Sequence, residues 1–156
     1  MIHHKKLINK ISDIIDSNNI ITNSDLLKFH NKDWRGFYNF KSICCVFPET
    51  TKQVQLLLKY CNQHNIKVVP QGGNTSLTGA SVPSKDNHEI IINLKKMNQI
   101  ISIDKINYSI TLESGCILND IKTYVNKNNF YFPLNIGSGG SCQIGGNVAT
   151  NAGGIN

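Results

Sequence analysis

The first apolar residues of the chain recur at the three- and four-residue spacing of an amphipathic helix. This spacing predicts a helix over residues 5–17. Asn23 or Ser24 offers a side-chain oxygen that can cap a short second helix soon afterwards. We therefore expect residues 1–41 to form an N-terminal helical segment.

A different pattern follows, in which short continuous apolar runs alternate with a helical one. Residues 43–47 and 66–69 are the apolar runs, and the second is expected to end at Pro70. Thr50 or Thr51 can cap a helix between them. A strand, a helix and a strand joined by short links predict a βαβ unit with parallel pairing and a right-handed crossover.

The second half of the chain gives further strand and helix signals. Residues 89–94 predict a third strand, and residues 100–103 and 109–112 predict a hairpin. Helical spacing then recurs over residues 118–126. Together with the preceding unit, these signals predict an α+β domain over residues 42–156.

The net charge of +6 does not by itself indicate a nucleic-acid partner. Arg35 is the single arginine, and the lysines are spread along the chain instead of forming a basic block with interleaved aromatic residues. No apolar run approaches the roughly 20 residues of a membrane helix. Asp13 and Asp16 interrupt the sole candidate for a signal-peptide core. We expect a cytoplasmic protein with no nucleic-acid partner and no transmembrane segment.

The five cysteines are an odd number and include no C-x-x-C pair, which argues against a disulfide framework. In a cytoplasmic protein they are expected to be reduced thiols. Cys61 and His64 form a C-x-x-H pair on a predicted helix, which is half of a zinc site at best. A buried thiol beside a surface imidazole is the favoured interpretation, so no metal site is predicted.

A loop rich in glycine and hydroxyl residues follows the second predicted strand, over residues 71–83. Gly72 and Gly73 permit positive φ and close approach to a ligand, so that successive N–H groups can form a nest for an anion. The loop lacks both the lysine of a nucleoside-triphosphate P-loop and the G-x-G-x-x-G pattern of a Rossmann unit. The residues alone are equally compatible with a phosphate site and with a solvent-exposed turn.

A second loop, over residues 137–154, consists mostly of small residues. Small residues allow something bulky to pack against the backbone. A flexible linker is the alternative, but linkers lack apolar residues such as Ile144 and Val148. Two loops of this kind in one short domain favour a large ligand that contains phosphate.

The two loops carry a family resemblance. The stretch P-Q-G-G-N-T-S-L-T-G over residues 70–79 and the stretch G-S-C-Q-I-G-G-N-V-A-T-N-A-G-G over residues 140–154 resemble the FAD domain of the vanillyl-alcohol oxidase and p-cresol methylhydroxylase type. Within that type the chain resembles D-2-hydroxyglutarate dehydrogenase, D-lactate dehydrogenase and the flavin subunit of glycolate oxidase. The resemblance implies the N-terminal βαβ subdomain plus the start of the second subdomain, in a domain left incomplete at residue 156.

The resemblance also implies a set of FAD-binding positions, all within the two loops. These positions are Gln71, Gly72, Gly73, Asn74, Thr75, Ser76, Gly79, Ser81, Ser141, Ile144, Gly145, Gly146, Asn147, Ala149 and Asn151. Some relatives tether FAD through a histidine in the first loop, and this loop contains none. The expected cofactor is therefore noncovalent FAD.

The function implied by the resemblance is oxidation of a D-2-hydroxy acid, of the lactate, glycolate or 2-hydroxyglutarate class, by hydride transfer to FAD. The family's catalytic base and substrate clamp lie beyond the part represented here. We therefore expect no catalytic residue in this chain, no activity from it alone, and a complementary C-terminal fragment or subunit as partner. Two alternatives stay open: an inactive remnant that binds FAD weakly or not at all, and a basic nucleotide-binding module, against which the paired loops argue.

Overall fold

A computed structural model describes residues 4–86 and 88–154. The five α-helices of this part are α1 (His4–Ser12), α2 (Ser24–Asn31), α3 (Thr51–Gln63), α4 (Leu118–Lys127) and α5 (Ile144–Ala149), with a 3₁₀ turn at Ser17–Asn19. The strands are β1 (Ile20–Ile21), β2 (Cys44–Val46), β3 (Lys67–Gln71), β4 (Glu89–Asn93), β5 (Ile100–Asp104) and β6 (Ser109–Leu112). The mixture of strands and helices confirms the α+β prediction.

The first four strands form one sheet in the order β1-β2-β4-β3. Strands β2 and β3 run parallel, but the direct pairing expected of them is wrong, because β4 lies between them and pairs with both. All five residues of β4 are buried, which suits a central strand covered on both faces. The end predicted for β3 is also wrong: the strand continues through Pro70 to Gln71. Pro70 is tolerated because β3 is an edge strand.

Helices cover both faces of this sheet because alternate residues of each strand point to opposite sides. On one face, α1 and α3 pack against β2 and β4 through an apolar cluster that includes Leu7, Leu57 and Ile90. On the other face, Leu27 of α2 packs against Cys45 and Phe47 among others. The N-terminal segment thus packs on the same sheet, and the domain boundary at residue 42 stays a prediction.

The first helix is shorter than its apolar spacing predicts, since α1 ends at Ser12 and not at Ser17. The side chain of Asp16 accepts a hydrogen bond from the N–H of Asn18 and so starts the separate 3₁₀ turn. Ile15 remains buried in the core although it lies outside the helix. The apolar pattern therefore identified the buried face correctly but overestimated the length of the helix.

The second half forms a smaller unit beside the sheet. Strands β5 and β6 pair antiparallel as the predicted hairpin. The hairpin packs on α4, where Ile121 and Val125 are buried together with Cys116 and Ile144. The bounds of α4 agree with the predicted helix to within one residue. Within residues 4–86 and 88–154, no helix has the length and apolar character needed to span a membrane.

Candidate functional site

The two glycine-rich loops meet at one cleft beyond the carboxyl ends of β3 and β4. The cleft has a volume of about 490 Å³, within the usual range of small-molecule and cofactor sites. The loops touch: a Cβ on Gly73 would lie 1.9 Å from the carbonyl oxygen of Ser141. Two segments about seventy residues apart in sequence therefore form a single wall.

Most of the predicted FAD-binding positions line this cleft. They are Gln71, Gly72, Gly73, Asn74, Thr75, Ser76, Ser81, Gly145, Gly146, Asn147 and Ala149. The other four predicted positions, Gly79, Ser141, Ile144 and Asn151, lie outside the lining. Gly79 packs beside the ring of Tyr38, and the side chain of Ile144 belongs to the apolar core of the second unit.

The first loop is anchored by a buried hydrogen-bond network around Gln71, whose side chain is 1% exposed. Its Nε2 donates to the carbonyl oxygens of His30, at 2.9 Å, and Ser81, at 2.7 Å. Its Oε1 accepts from Nδ1 of His30 at 2.7 Å and from Nδ2 of Asn93 at 3.0 Å. Asn93 also donates to the carbonyl oxygen of Gly72 at 3.0 Å. Every amide hydrogen-bonding group of Gln71 is thus occupied in holding the start of the loop.

His30 supplies this network from helix α2. The half-buried imidazole has a pKa below its usual value, first because burial disfavours the charged form and also because Lys95 carries a like charge; the hydrogen bond to Gln71 opposes that shift. The ring contacts Phe47 edge-on, with the centroids 5.4 Å apart. No sequence motif singled out His30 or Asn93, because their roles depend on contacts across the sheet.

Positive φ values in the first loop do not fall where the sequence suggested. The structure places them at Asn74, with φ +53°, and Gly79, with φ +75°, and not at Gly72 or Gly73. Asn74 tolerates this conformation better than most residues, and its Nδ2 donates to the carbonyl oxygen of Lys32 at 2.8 Å. The need for glycine at position 73 comes instead from the close approach of Ser141.

The second loop contains a short helix, α5, that the sequence did not predict. Two of its six residues are glycines, which have low helix propensity. Tertiary contacts hold it: the N–H groups of Ile144 and Gly145 donate to the carbonyl oxygens of Cys116 and Ser114 at 2.9 and 2.8 Å. Gly146 has no atom within 4 Å of the place a Cβ would occupy, so open space adjoins it.

Several lining residues were missed from the sequence. They are Pro70, Ala80, Leu94, Ser114, Ile136, Ser138, Gln143, Thr150 and Ala152. Leu94 could have been found, because it directly follows β4 and the carboxyl ends of parallel strands meet at one edge of a sheet. Ser114 comes from the end of the hairpin, and no local signal places it beside the loops.

The chemistry of the cleft is that of binding and not of proton transfer. Every residue that lines it is uncharged, and the lining consists of glycines, hydroxyls, amides and small apolar groups. Hydroxyl groups and backbone N–H groups suit the oxygen-rich parts of FAD. The open space beside Gly146 and a buried, unpartnered oxygen on Gln143 leave room and hydrogen-bonding capacity for such a ligand. The residues present therefore fit the cofactor.

The cysteines are not arranged as a metal or redox centre. All five are buried and free. Burial raises the pKa of Cys61 to about 11 and that of Cys44 to about 12, so both thiols stay protonated at neutral pH. Across the described ranges, no group of three or more His, Cys, Asp or Glu residues could hold a metal ion.

Comparison with known proteins shows that the sequence also resembles that of FAD-binding proteins. The model of the family described as FAD binding domain matches residues 43–156. D-2-hydroxyglutarate dehydrogenase, mitochondrial, from Danio rerio is 46% identical over 135 residues, which are 86% of this chain and 25% of that protein. The protein of the same name from Arabidopsis thaliana is 40% identical over 150 residues, which are 96% of this chain and 26% of that protein. The chain spans about a quarter of the length of these relatives.

Solved structures agree on the fold. An alkyldihydroxyacetonephosphate synthase superposes with a TM-score of 0.88 at 16% identity, over 98% of this chain and 30% of that one. A p-cresol methylhydroxylase with substrate bound gives a TM-score of 0.66 at 27% identity, over 80% of this chain and 25% of that one. The family match across most of the chain and these shared folds lead to one conclusion: the chain belongs to the FAD-binding domain family, with the fold found in p-cresol methylhydroxylase.

Proposed function

We propose that this chain is the FAD-binding part of an oxidoreductase that oxidises a D-2-hydroxy acid. The observation that carries the proposal is the uncharged cleft in which the two glycine-rich loops close on each other. The substrate class is supported by the relatives from Danio rerio and Arabidopsis thaliana, which are named D-2-hydroxyglutarate dehydrogenase. Lactate and glycolate are the other 2-hydroxy acids that we include in the proposed substrate class.

In this proposal the residues of the chain bind and orient the cofactor. Residues 71–76 and 145–149 would hold FAD through backbone groups, hydroxyls and amides, with Gln71 fixing the first segment. FAD supplies the two-electron redox chemistry when it is bound. The base that removes the hydroxyl proton of the substrate, and the cations that hold its carboxylate, would come from a complementary C-terminal polypeptide.

The proposed attachment of FAD is noncovalent. Among the described residues no histidine or cysteine lines the cleft, and Cys142 is buried and outside the lining.

The location of the protein is a separate question. A cytoplasmic location stays a prediction, because the relatives from Danio rerio and Arabidopsis thaliana are both named as mitochondrial.

The test of this proposal is titration of the purified chain with FAD, in which quenching of flavin fluorescence reports binding. Saturable binding is expected, and Gly146→Leu should weaken it at least about tenfold, because the leucine side chain would occupy open space in the cleft. Gly137→Leu is the matched control, since Gly137 is equally uncrowded but does not line the cleft. An inactive remnant that does not bind FAD would show no saturation, and equal affinity in both variants would place the cofactor elsewhere.

A further inference from the structure

Gln143 lies where the two loops and the second unit meet. Its backbone forms an isolated bridge with Ile117. On either side, the carbonyl oxygen of Cys142 accepts from the N–H of Leu118 at 3.2 Å, and the N–H of Ile144 donates to Cys116 at 2.9 Å. Hydrogen bonds on both sides therefore fix the backbone at Gln143.

The side-chain amide of Gln143 is buried but incompletely satisfied. The residue is 7% exposed, and its Oε1 has no hydrogen-bond partner among the residues that the structure describes. This oxygen rests against Gly72, 3.2 Å from the point where a Cβ on that glycine would lie. A buried carbonyl oxygen without a donor destabilises the folded chain, because it has lost its hydrogen bonds to water. The neighbouring amides of Gln71 and Asn93, by contrast, are engaged with protein groups.

The position of Gln143 indicates what would satisfy this oxygen. The residue lines the cleft between the loops, so a ligand in the cleft would lie beside its side chain. Asp33 Oδ2 is the other buried oxygen without a partner in the described ranges, and Asp33 does not line the cleft. Among the described residues that line the cleft, Gln143 therefore has the one buried side-chain oxygen without a hydrogen-bond donor.

We propose that Gln143 is a cofactor-contacting residue whose Oε1 accepts a hydrogen bond from a hydroxyl or N–H group of FAD. The inference rests on the proposed function, because it takes FAD as the occupant of the cleft. It assigns a contact outside the set implied by the family resemblance. The donor must be a hydroxyl or an N–H, since a phosphate oxygen at neutral pH offers no hydrogen to an amide oxygen.

Replacement of Gln143 by methionine separates a contact role from a structural one. Methionine keeps the unbranched shape and length while removing the acceptor. Loss of a buried, unsatisfied oxygen should leave the urea midpoint of the FAD-free chain unchanged or higher. The Kd for FAD should nevertheless rise about tenfold, measured by quenching of flavin fluorescence. A residue that only supported the fold would lower both stability and affinity.

Gln63→Met is the control, because Gln63 is an exposed residue at the end of α3 and lies far from the lining. It should change neither quantity. An unchanged Kd for Gln143→Met would overturn the inference, and so would a lower urea midpoint accompanied by weaker binding. Failure of the unsubstituted chain to bind FAD would be seen in its own titration, and it would overturn the proposed function and with it this inference.

Discussion

At the scale of single residues, the glycines of the two loops are not equivalent. Gly73 is closed in by the backbone of Ser141, with 1.9 Å between its Cβ position and the carbonyl oxygen, whereas Gly137 has no atom within 4 Å. The sequence showed both as members of glycine-rich loops. It could not rank them, because the atoms that crowd Gly73 belong to a segment about seventy residues away.

This difference predicts the outcome of two matched substitutions. Gly73→Val must push the loops apart, and overpacking of this kind typically costs about 1–3 kcal/mol of folding free energy. We expect a lower urea midpoint and loss of saturable FAD quenching. Gly137→Val should change stability by less than about 0.5 kcal/mol and leave FAD affinity intact. Equal affinity in the Gly73→Val chain would show that the contact between the loops does not shape the binding site.

At the scale of elements, the sequence predicted β2 to β6 and the longer helices, but neither β1 nor the order of the strands in the sheet. The apolar runs located β2 and β4, because a strand buried on both faces reads as a continuous apolar segment. Strand β3 was located although it is an edge strand with Lys67 and Pro70 exposed. The order of the strands could not be predicted, because the burial that marks β4 as the central strand arises only when the sheet is assembled. Helix α5 was missed because its own sequence disfavours a helix and contacts with residues 114–116 sustain it.

The contact between α2 and β3 predicts a dependence of stability on pH. His30 joins them through Gln71 and has a lowered pKa in the folded chain. As the pH falls below about 6.5, the unfolded chain takes up a proton at this position before the folded chain does, so stability decreases. The decrease levels off once the pH is below the lowered pKa of the folded imidazole. Stability is thus retained above about pH 6.5 and lost on acidification.

The measurement is the urea midpoint at pH 7.5 and at pH 5.5. The unsubstituted chain should lose stability across this interval, and His30→Gln should lose less, because glutamine does not titrate. His88→Gln serves as the control, since His88 is exposed and lies outside the Gln71 network. Asp25, Glu49 and Asp86 also have lowered pKa values, which affect stability only at more acidic pH. The same loss in His30→Gln as in the unsubstituted chain would assign the effect to other groups.

At the scale of the whole molecule, the charge of the chain and the charge of its cleft differ. The net charge is +6, yet every residue that lines the cleft is uncharged. Composition alone therefore could not point to the cleft, whereas the two loop motifs contain most of the residues that line it. Among the described residues, the lining also contains no imidazole or thiol that could bond covalently to flavin. Any FAD that copurifies with the chain should be released by acid precipitation, and a yellow pellet after washing would contradict noncovalent binding.

The same uncharged lining predicts that the chain alone does not oxidise D-lactate, glycolate or D-2-hydroxyglutarate. Oxidation of these acids needs a base within hydrogen-bond reach of the substrate hydroxyl and cations that hold its carboxylate in place. No acid, base or cation lines the cleft in the described part of the chain. FAD would therefore be bound without the groups that place a substrate against it.

The assay is reduction of an artificial dye by the purified chain with saturating FAD and each acid in turn, compared with free FAD. Rates at the level of free FAD are expected. Co-expression with the part of a relative that this chain does not cover, for example that of the protein from Danio rerio, should raise the rate if the missing groups come from that part. Turnover by the chain alone, well above free FAD, would mean that catalysis does not require charged groups at the cleft.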